Sequence, residues 1–439
     1  MKARTINIDH LVMLGVTLLA LTVFCHFAGL PLILPLLVFF FGVHLFFFHK
    51  SDQRLFLDLV LLLVLLLFTA HVLKSYSWIS HYYLPVAAVP MLTMLLFNDV
   101  QLAFLMSFMA AAMAGMMLDF ALTDMLIFFL GGLAGAYAVR DARTRGIVLG
   151  AGICVAAMQV ISYLLVHPAF NQMTAMEILK PLAVNGLISA FAVMALLKVF
   201  EMIFGEITNF TLLELSDSSH PLLKRMVVEA PGTYHHSLIV SNLAETAADA
   251  IGVHALLTRV GAYYHDIGKM VKPEYFTENQ MVAGNKHDEL EPSMSRLVIL
   301  NHVKEGVDLA YKYRLNPKII DFIPQHHGTS LIHYFYQKAL AEGEGVQVGE
   351  ENYRYPGPKP QTKETAIVLL ADSVEGATRA MDEHSPKKIE DTVRKVINNK
   401  FIDGQLDECN LTLREIDTIA ATFVRVLSAM YHSRVKYPK

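Results

Sequence analysis

Seven residues of the kinds that hold metal ions recur along one half of this chain: His236, His265, Asp266, His302, the doublet His326-His327, and Asp372. Imidazole and carboxylate donors without a thiolate suit iron or manganese, and also zinc or nickel. Seven donors exceed what one tetrahedral zinc takes. They suit two divalent ions about 3.5–4 Å apart that share a bridging carboxylate, an arrangement that activates water at phosphoesters. The centre of the set is Tyr263-Tyr264-His265-Asp266-Ile267-Gly268-Lys269. An apolar helix over about 255–264 leads into it, and Gly268 is expected to stop that helix. The imidazole of His265 and the carboxylate of Asp266 can then reach one metal centre, and Lys269 lands where a phosphate must sit. A lone His-Asp pair at a helix end is common on soluble surfaces. Five further donors at intervals single this one out.

Each donor needs an element to carry it. Thr233 is expected to cap a helix bearing His236, with Leu238, Leu243 and Ala247 for a core face and Gly252 beyond its end. His235 points about 100° away from His236 on such a helix. His302 lies in an apolar helix that begins at Pro292-Ser293. The doublet His326-His327 precedes Gly328 at a helix end, and Asp372 emerges from the apolar run Ile367–Ala371. His254, His287 and His333 have no such setting and read as surface residues. The stretch 341–360 is polar and rich in Gly and Pro, as a spacer would be. Its Tyr353-Arg354-Tyr355 and Lys359 can instead serve a nucleotide, with aromatic faces for a base and cations for phosphate.

Longer motifs surround these residues. They are Ser216-Asp217 with His220-Pro221-Leu222-Leu223, Glu229-Ala230-Pro231-Gly232-Thr233-Tyr234-His235-His236-Ser237, Pro273-Glu274-Tyr275-Phe276 with Glu278-Asn279-Gln280, Gln325-His326-His327-Gly328-Thr329-Ser330, Tyr355-Pro356-Gly357-Pro358-Lys359-Pro360, and Asp403-Gly404-Gln405-Leu406-Asp407-Glu408-Cys409. In this order they resemble the bacterial membrane-bound 7TM-HD proteins of the PgpH type, within the HD-domain phosphohydrolases. The likeness is dense over roughly 205–439 and looser before it.

The resemblance implies that His236, His265, Asp266 and Asp372 hold one ion. Asp266, as the bridge, joins His302, His326 and His327 on the other. It implies hydrolysis of cyclic di-AMP to pApA, with Asp266 and Lys269 catalytic and Lys269 at the substrate phosphate; Arg354, Tyr355 and Lys359 join it as substrate residues from the reading of the polar stretch. Cyclic di-GMP or a guanosine polyphosphate is the alternative substrate, and a nucleotide-binding receptor without catalysis is the alternative from another class. Many relatives carry a large extracytoplasmic domain after the first membrane helix. Here only Gly29-Leu30-Pro31 separates the first two apolar segments.

Composition sets the remaining bounds. The 439 residues are 54% hydrophobic, with a mean hydropathy of +0.42, too apolar for an ordinary soluble enzyme. The excess lies in residues 10–200. A net charge of −4 provides no basic field for a nucleic acid polymer. Cys25, Cys154 and Cys409 are scattered and suggest neither a disulfide framework nor a zinc-thiolate site.

A membrane-spanning helix needs about 20 apolar residues. Eight segments are expected, over about 11–30, 31–48, 55–73, 82–97, 102–118, 125–139, 146–166 and 181–200. The first lacks a small-x-small cleavage site and is followed at once by the second, so it reads as a membrane segment rather than a leader. Lys2/Arg4, Lys50/Arg54 and Arg140/Arg143/Arg145 fall on one side, with Lys74 and Lys180 on the other. The positive-inside rule then places both termini in the cytoplasm. Asp58, Asp119, Gln159 and Asn185 are the polar residues in or near the bilayer, and the two carboxylates sit near segment ends, where water reaches.

The expected architecture is therefore all-α: a polytopic bundle over 1–204, a connecting helix over 205–232, and a cytoplasmic HD domain over 233–439. Ser219 and Pro221 are expected to start the connecting helix and Pro231-Gly232 to end it, as a lever or a passive tether. The partners are a cyclic dinucleotide, the lipid bilayer of the bacterial inner membrane, and either a second copy or a membrane signalling protein.

Overall fold

The computed structural model describes residues 8–27, 31–46, 53–76, 78–119, 121–167, 173, 175–280, 286–341 and 349–431. Lys2, Arg4, Gly29, Leu30, Lys50 and residues 342–348 of the polar loop lie outside the described residues. The protein is all-α, and among the described residues the only β-type pairing is an isolated bridge between Leu331 and Arg354. It divides into two units, Met1–Phe210 and Thr211–Lys439.

The first unit contains α1 (Ile8–Phe27), α2 (Ile33–His44), α3 (Gln53–Lys74), α4 (Ala88–Phe97), α5 (Val100–Leu118), α6 (Leu122–Ala138), α7 (Arg145–Val166) and α8 (Lys180–Phe204). Four described helical stretches are long and apolar enough to cross a membrane, by length and composition only: Gln53–Lys74, Val100–Leu118, Arg145–Val166 and Met176–Phe204. Shorter apolar stretches run over Val12–Val23 within α1, Ile33–His44, His81–Phe97 and Leu122–Ala138. Between α7 and α8 the backbones come very close, because a Cβ added at Gly186 would lie 2.0 Å from the carbonyl oxygen of Gly152.

Helix α4 starts late. His81–Tyr83 forms a 3-10 turn, and regular α-helix begins only at Ala88. Non-helical backbone in an apolar bundle needs hydrogen-bond partners. Asn185 supplies them, its Nδ2 donating to the carbonyls of Tyr82 (3.0 Å) and Leu84 (2.6 Å). Gln159 donates in turn to Asn185 Oδ1 at 3.3 Å. Asp119 pairs with Lys74 at 2.9 Å on an exposed end. Asp124, not singled out from the sequence, is buried and accepts a 2.9 Å hydrogen bond from the Tyr82 hydroxyl.

The second unit begins differently from expectation. In place of one connecting helix there are two short ones, α9 (Asn209–Ser216) and α10 (Pro221–Glu229). His220, extended ahead of Pro221, is the residue before α10, so Ser219 does not cap it; a residue before proline is driven out of the helical region. Pro231 opens α11 (Pro231–Ala250) instead of ending its predecessor, as suits a residue with no N–H to satisfy. Thr233 therefore lies inside α11. Its N–H donates to Asn279 Oδ1 at 3.1 Å, a cap brought from a distant turn.

Helices α12 (Ala255–Tyr264), α13 (Pro292–Lys312), α14 (Pro317–Ile320), α15 (Phe322–Gln325) and α16 (His333–Ala341) follow. The last three are α17 (Lys363–Arg379), α18 (Pro386–Ile402) and α19 (Leu413–Met430). Helix α17 is the core of this unit. Thr362 caps it in a capping box with Thr365, and every residue from Thr365 to Ala371 is buried. A helix apolar on all sides belongs at the centre of its neighbours. Val240, Leu243 and Ala247 of α11 and Ile419, Phe423 and Leu427 of α19 share its cluster.

Candidate metal centre

Five short pieces of backbone deliver the seven donors. His236 projects from α11 and is buried, whereas His235 beside it is exposed. Helix α12 closes on His265, Asp266 follows, and the 3-10 turn Ile267–Val271 carries Lys269. His302 comes from α13, His326 and His327 from the end of α15, and Asp372 from α17 just after its all-buried run. Gly268 does not stop α12 by adopting a left-handed conformation, since its φ is not positive. Its lack of a side chain has another use: a Cβ there would lie 1.8 Å from the carbonyl oxygen of His302 and 2.5 Å from the Gly306 nitrogen. Glycine thus lets the His265-Asp266 turn sit directly on α13.

The donors converge in two groups that share one residue. His236, His265, Asp266 and Asp372 have ligand-type atoms all within 4.8 Å of one another, and so do Asp266, His302, His326 and His327. The two oxygens of Asp266 divide the work. Its Oδ2 lies 3.5 Å from His236 Nε2 and 3.2 Å from His265 Nε2. Its Oδ1 lies 3.4 Å from His302 Nε2 and 3.5 Å from His326 Nε2. His236 Nε2 also approaches Asp372 Oδ1 at 3.1 Å.

Four imidazoles are held from behind. Nδ1 of His236 donates to Glu375 at 2.7 Å, that of His265 to the Ala262 carbonyl at 2.7 Å, that of His302 to the Ile299 carbonyl at 2.5 Å, and that of His326 to the Ile323 carbonyl at 2.6 Å. These bonds orient each ring so that its Nε2 faces the centre. The four Nε2 atoms and Asp266 Oδ1 are buried without an aligned hydrogen-bond partner. Orphaned buried polar atoms cost about 1–3 kcal/mol each. Five of them facing shared points fit divalent cations.

The charges are uneven across the centre. Burial alone would lower the pKa of His236 and His265, but the carboxylates of Asp266 and Asp372, with Glu375 for His236, outweigh it. His236 is raised well above its usual range and His265 to about 9. Burial dominates on the other side, where His302 falls to about 4 and His327, crowded by His326 and His302, well below its usual value. Asp266 and Asp372 are also penalised by burial. Lys269 and the histidines nevertheless hold Asp266 well below the carboxylate range, and His236 and His265 do the same for Asp372.

The expected substrate residues fall into three situations. Lys269 Nζ lies 2.7 Å from Asp266 Oδ2 and 2.9 Å from Glu278 Oε1, over the Phe276 ring. Tyr355 stacks on His327, with ring centroids 4.1 Å apart, so its ring walls the centre. Arg354 faces protein acceptors instead. Its Nε and Nη2 donate to Glu350, Nη2 and Nη1 to Asp403, and Nη1 to the Thr329 carbonyl, which uses all five donors. Lys359 pairs with Asp407 at 3.6 Å.

Two expectations for other histidines change. His287 is buried between the rings of Tyr275 and Phe335 instead of lying on the surface. His254 caps α12, its Nδ1 accepting from the Leu257 N–H at 3.1 Å. Glu375 escaped the sequence reading, although its position three residues after Asp372 puts both on one face of α17.

Residues 11–208 match the family described as "7TM receptor with intracellular HD hydrolase", and residues 233–377 match the HD domain. The chain is 39% identical over 420 residues to the cyclic-di-AMP phosphodiesterase PgpH of Bacillus subtilis, covering 91% of this chain and 59% of that protein. It is 40% identical over 362 residues to PgpH of Listeria monocytogenes, covering 81% of this chain and 50% of that protein. The crystal structure of the L. monocytogenes PgpH HD domain in complex with cyclic-di-AMP aligns at 49% identity and a TM-score of 0.47, over 50% of this chain and all of that one. The chain thus spans between half and three fifths of the length of these curated relatives.

Proposed function

The chain belongs to the family of 7TM receptors with an intracellular HD hydrolase, and on that footing we propose that it is a membrane-anchored phosphodiesterase opening a cyclic dinucleotide, cyclic di-AMP, to linear pApA. The observation that carries the reading is Asp266, whose two oxygens face two separate sets of histidine nitrogens. In this reading His236, His265, Asp266 and Asp372 hold one divalent ion, and Asp266, His302, His326 and His327 hold the other. Two such ions, taken here as iron or manganese, would supply Lewis acidity and lower the pKa of water towards about 7.

The chain's own residues do the rest. Nδ1 anchors keep four imidazoles aimed without reorganisation during the reaction. Lys269, next to Asp266 Oδ2, offers its ammonium to a non-bridging phosphate oxygen as negative charge gathers there. Tyr355 provides a ring against which a base can lie. Arg354, with its donors engaged, holds the Thr329 and Asp403 segments in place, and Lys359 stands at the rim as a cation shared with Asp407.

The membrane unit is read as the anchor in the bacterial cytoplasmic membrane, with the HD unit and both termini in the cytoplasm. One contact supports that polarity. Arg54, at the start of α3, donates to the carbonyl of Phe204 at the end of α8 at 2.6 Å, so these two helix ends lie together. Arg140, Arg143 and Arg145 are exposed between α6 and α7.

The test uses the full chain in detergent, with Mn or Fe and a panel of cyclic di-AMP, cyclic di-GMP and guanosine polyphosphate, products being identified by mass. Cleavage of cyclic di-AMP to pApA is expected, and its loss with well under two metals per chain in Asp266→Ala. Cleavage of another nucleotide would reassign the base, and binding without cleavage would make the protein a receptor.

A further inference from the structure

Among the described residues, Lys400 is a cation near the centre without a carboxylate partner. Lys400, in the last turn of α18, points its Nζ at Ser330 Oγ, 2.7 Å away, and among the described residues no carboxylate oxygen pairs with it. The cations expected at the substrate are engaged: Lys269 with Asp266 and Glu278, Arg354 with Glu350 and Asp403, Lys359 with Asp407. Ser330, which receives Lys400, is itself buried and pinned. Its N–H donates to the His327 carbonyl at 3.1 Å, and its carbonyl accepts from the Tyr355 N–H at 3.0 Å. Lys400 is therefore tied to the short segment between a metal-type histidine and the ring stacked on it.

Burial lowers the pKa of Lys400, and Asp372 is the carboxylate that acts most strongly against that trend, followed by Asp403. The ammonium thus lies within electrostatic reach of the centre without being neutralised by it. Arg354 adds positive charge on the same side. A largely buried cation without a counter-ion is costly to keep. An anion arriving with the substrate would supply the missing partner, and ammonium binds phosphate readily as a point charge.

We propose that Lys400, held by Ser330, is the subsite for the second phosphate of the substrate, the one not seated at Asp266. The inference rests on the reading above that the metal centre takes one phosphodiester of a two-phosphate ring. It assigns Lys400 to substrate selection: a cyclic dinucleotide gains a contact that a diester with one phosphate cannot make. Losing one hydrogen bond to a charged group corresponds to a change of roughly 10–100-fold.

The experiment compares the full chain and Lys400→Met on cyclic di-AMP and on bis(p-nitrophenyl) phosphate, which carries a single phosphate. The ratio of the two KM values should shift about 10–100-fold against the cyclic dinucleotide, with kcat for it changed far less. Ser330→Ala keeps the ammonium but loosens it, and should shift the ratio in the same direction by a smaller factor. An equal loss on both substrates, or no change on either, would overturn the assignment. If the unmodified protein cleaves the single-phosphate diester and no cyclic dinucleotide, the functional reading falls together with it. A Lys400 variant with an unaltered ratio on a cleaved cyclic dinucleotide overturns the subsite alone.

Discussion

Glu375 accepts a 2.7 Å hydrogen bond from Nδ1 of His236, and both side chains are almost wholly buried. The carboxylate sits one turn beyond Asp372 on α17, so one helix supplies a donor to the centre and the support of a second donor. Arg379 Nη1, at 3.4 Å from Glu375 Oε1, holds the support in turn.

Removing that support should show in metal retention. Glu375→Ala is expected to weaken binding at the His236 site by about 10–100-fold, the usual scale for losing the partner of a metal-binding histidine. Glu375→Gln keeps an acceptor for the Nδ1 proton and should lose much less. Titrating metal into chelator-stripped protein measures both, and equal affinities for all three proteins would show that Glu375 does not orient His236.

Lys269 has two neighbours to answer for. Lys269→Ala should retain both ions and most substrate affinity while kcat falls roughly 10–1000-fold, as for loss of one electrostatic stabiliser. It should also lower thermal stability, because the mostly buried Glu278 loses the cation that offsets its burial and holds its pKa down. Metal analysis, steady-state kinetics and a melting curve separate the outcomes. An unchanged kcat would move the phosphate contact elsewhere.

The join between α17 and α19 carries a pH signature. Lys363 bonds Glu415 at 2.5 Å, and this contact, helped by the Thr412 N–H, lowers the Glu415 pKa from 4.5 to about 2. A carboxylate depressed in the folded state adds stability above its unfolded pKa and loses it as pH falls through the folded one. The difference in melting temperature between the unmodified protein and Glu415→Gln should therefore be full above pH 4.5 and shrink towards pH 2. The group is partly exposed, so the effect is small; a difference that persists unchanged down the range would refute it.

Orientation in the membrane can be read by reporter fusions. Fusions after Arg54 and after Arg145 should report cytoplasm, and one after Lys74 the outside. The Arg54–Phe204 contact ties the first of these to the end of α8. An external signal at Arg145 would reverse the assignment.

The sequence by itself determined the order of elements and the chemistry available to them. Continuous apolar runs of membrane length in residues 10–200 suit helices in lipid, because a helix satisfies its own backbone groups within the segment. His and Asp recurring without Cys restrict the donor set whatever the fold. Local pattern is less decisive where a distant residue supplies the missing hydrogen bond. Thr233 reads as a cap until Asn279 arrives from another turn, and α4 starts late on carbonyls that Asn185 satisfies from α8.

Only the tertiary structure decided how the donors divide. That Asp266 turns one oxygen to each set of histidines depends on the 3-10 turn pressed against α13 at Gly268, a contact between segments far apart in sequence. The same holds for cations. Arg354, Lys359 and Lys400 are equivalent charges in a sequence, because pairing is a property of who stands within about 4 Å. Packing engages all five donors of Arg354 and, among the described residues, leaves Lys400 with a single hydroxyl.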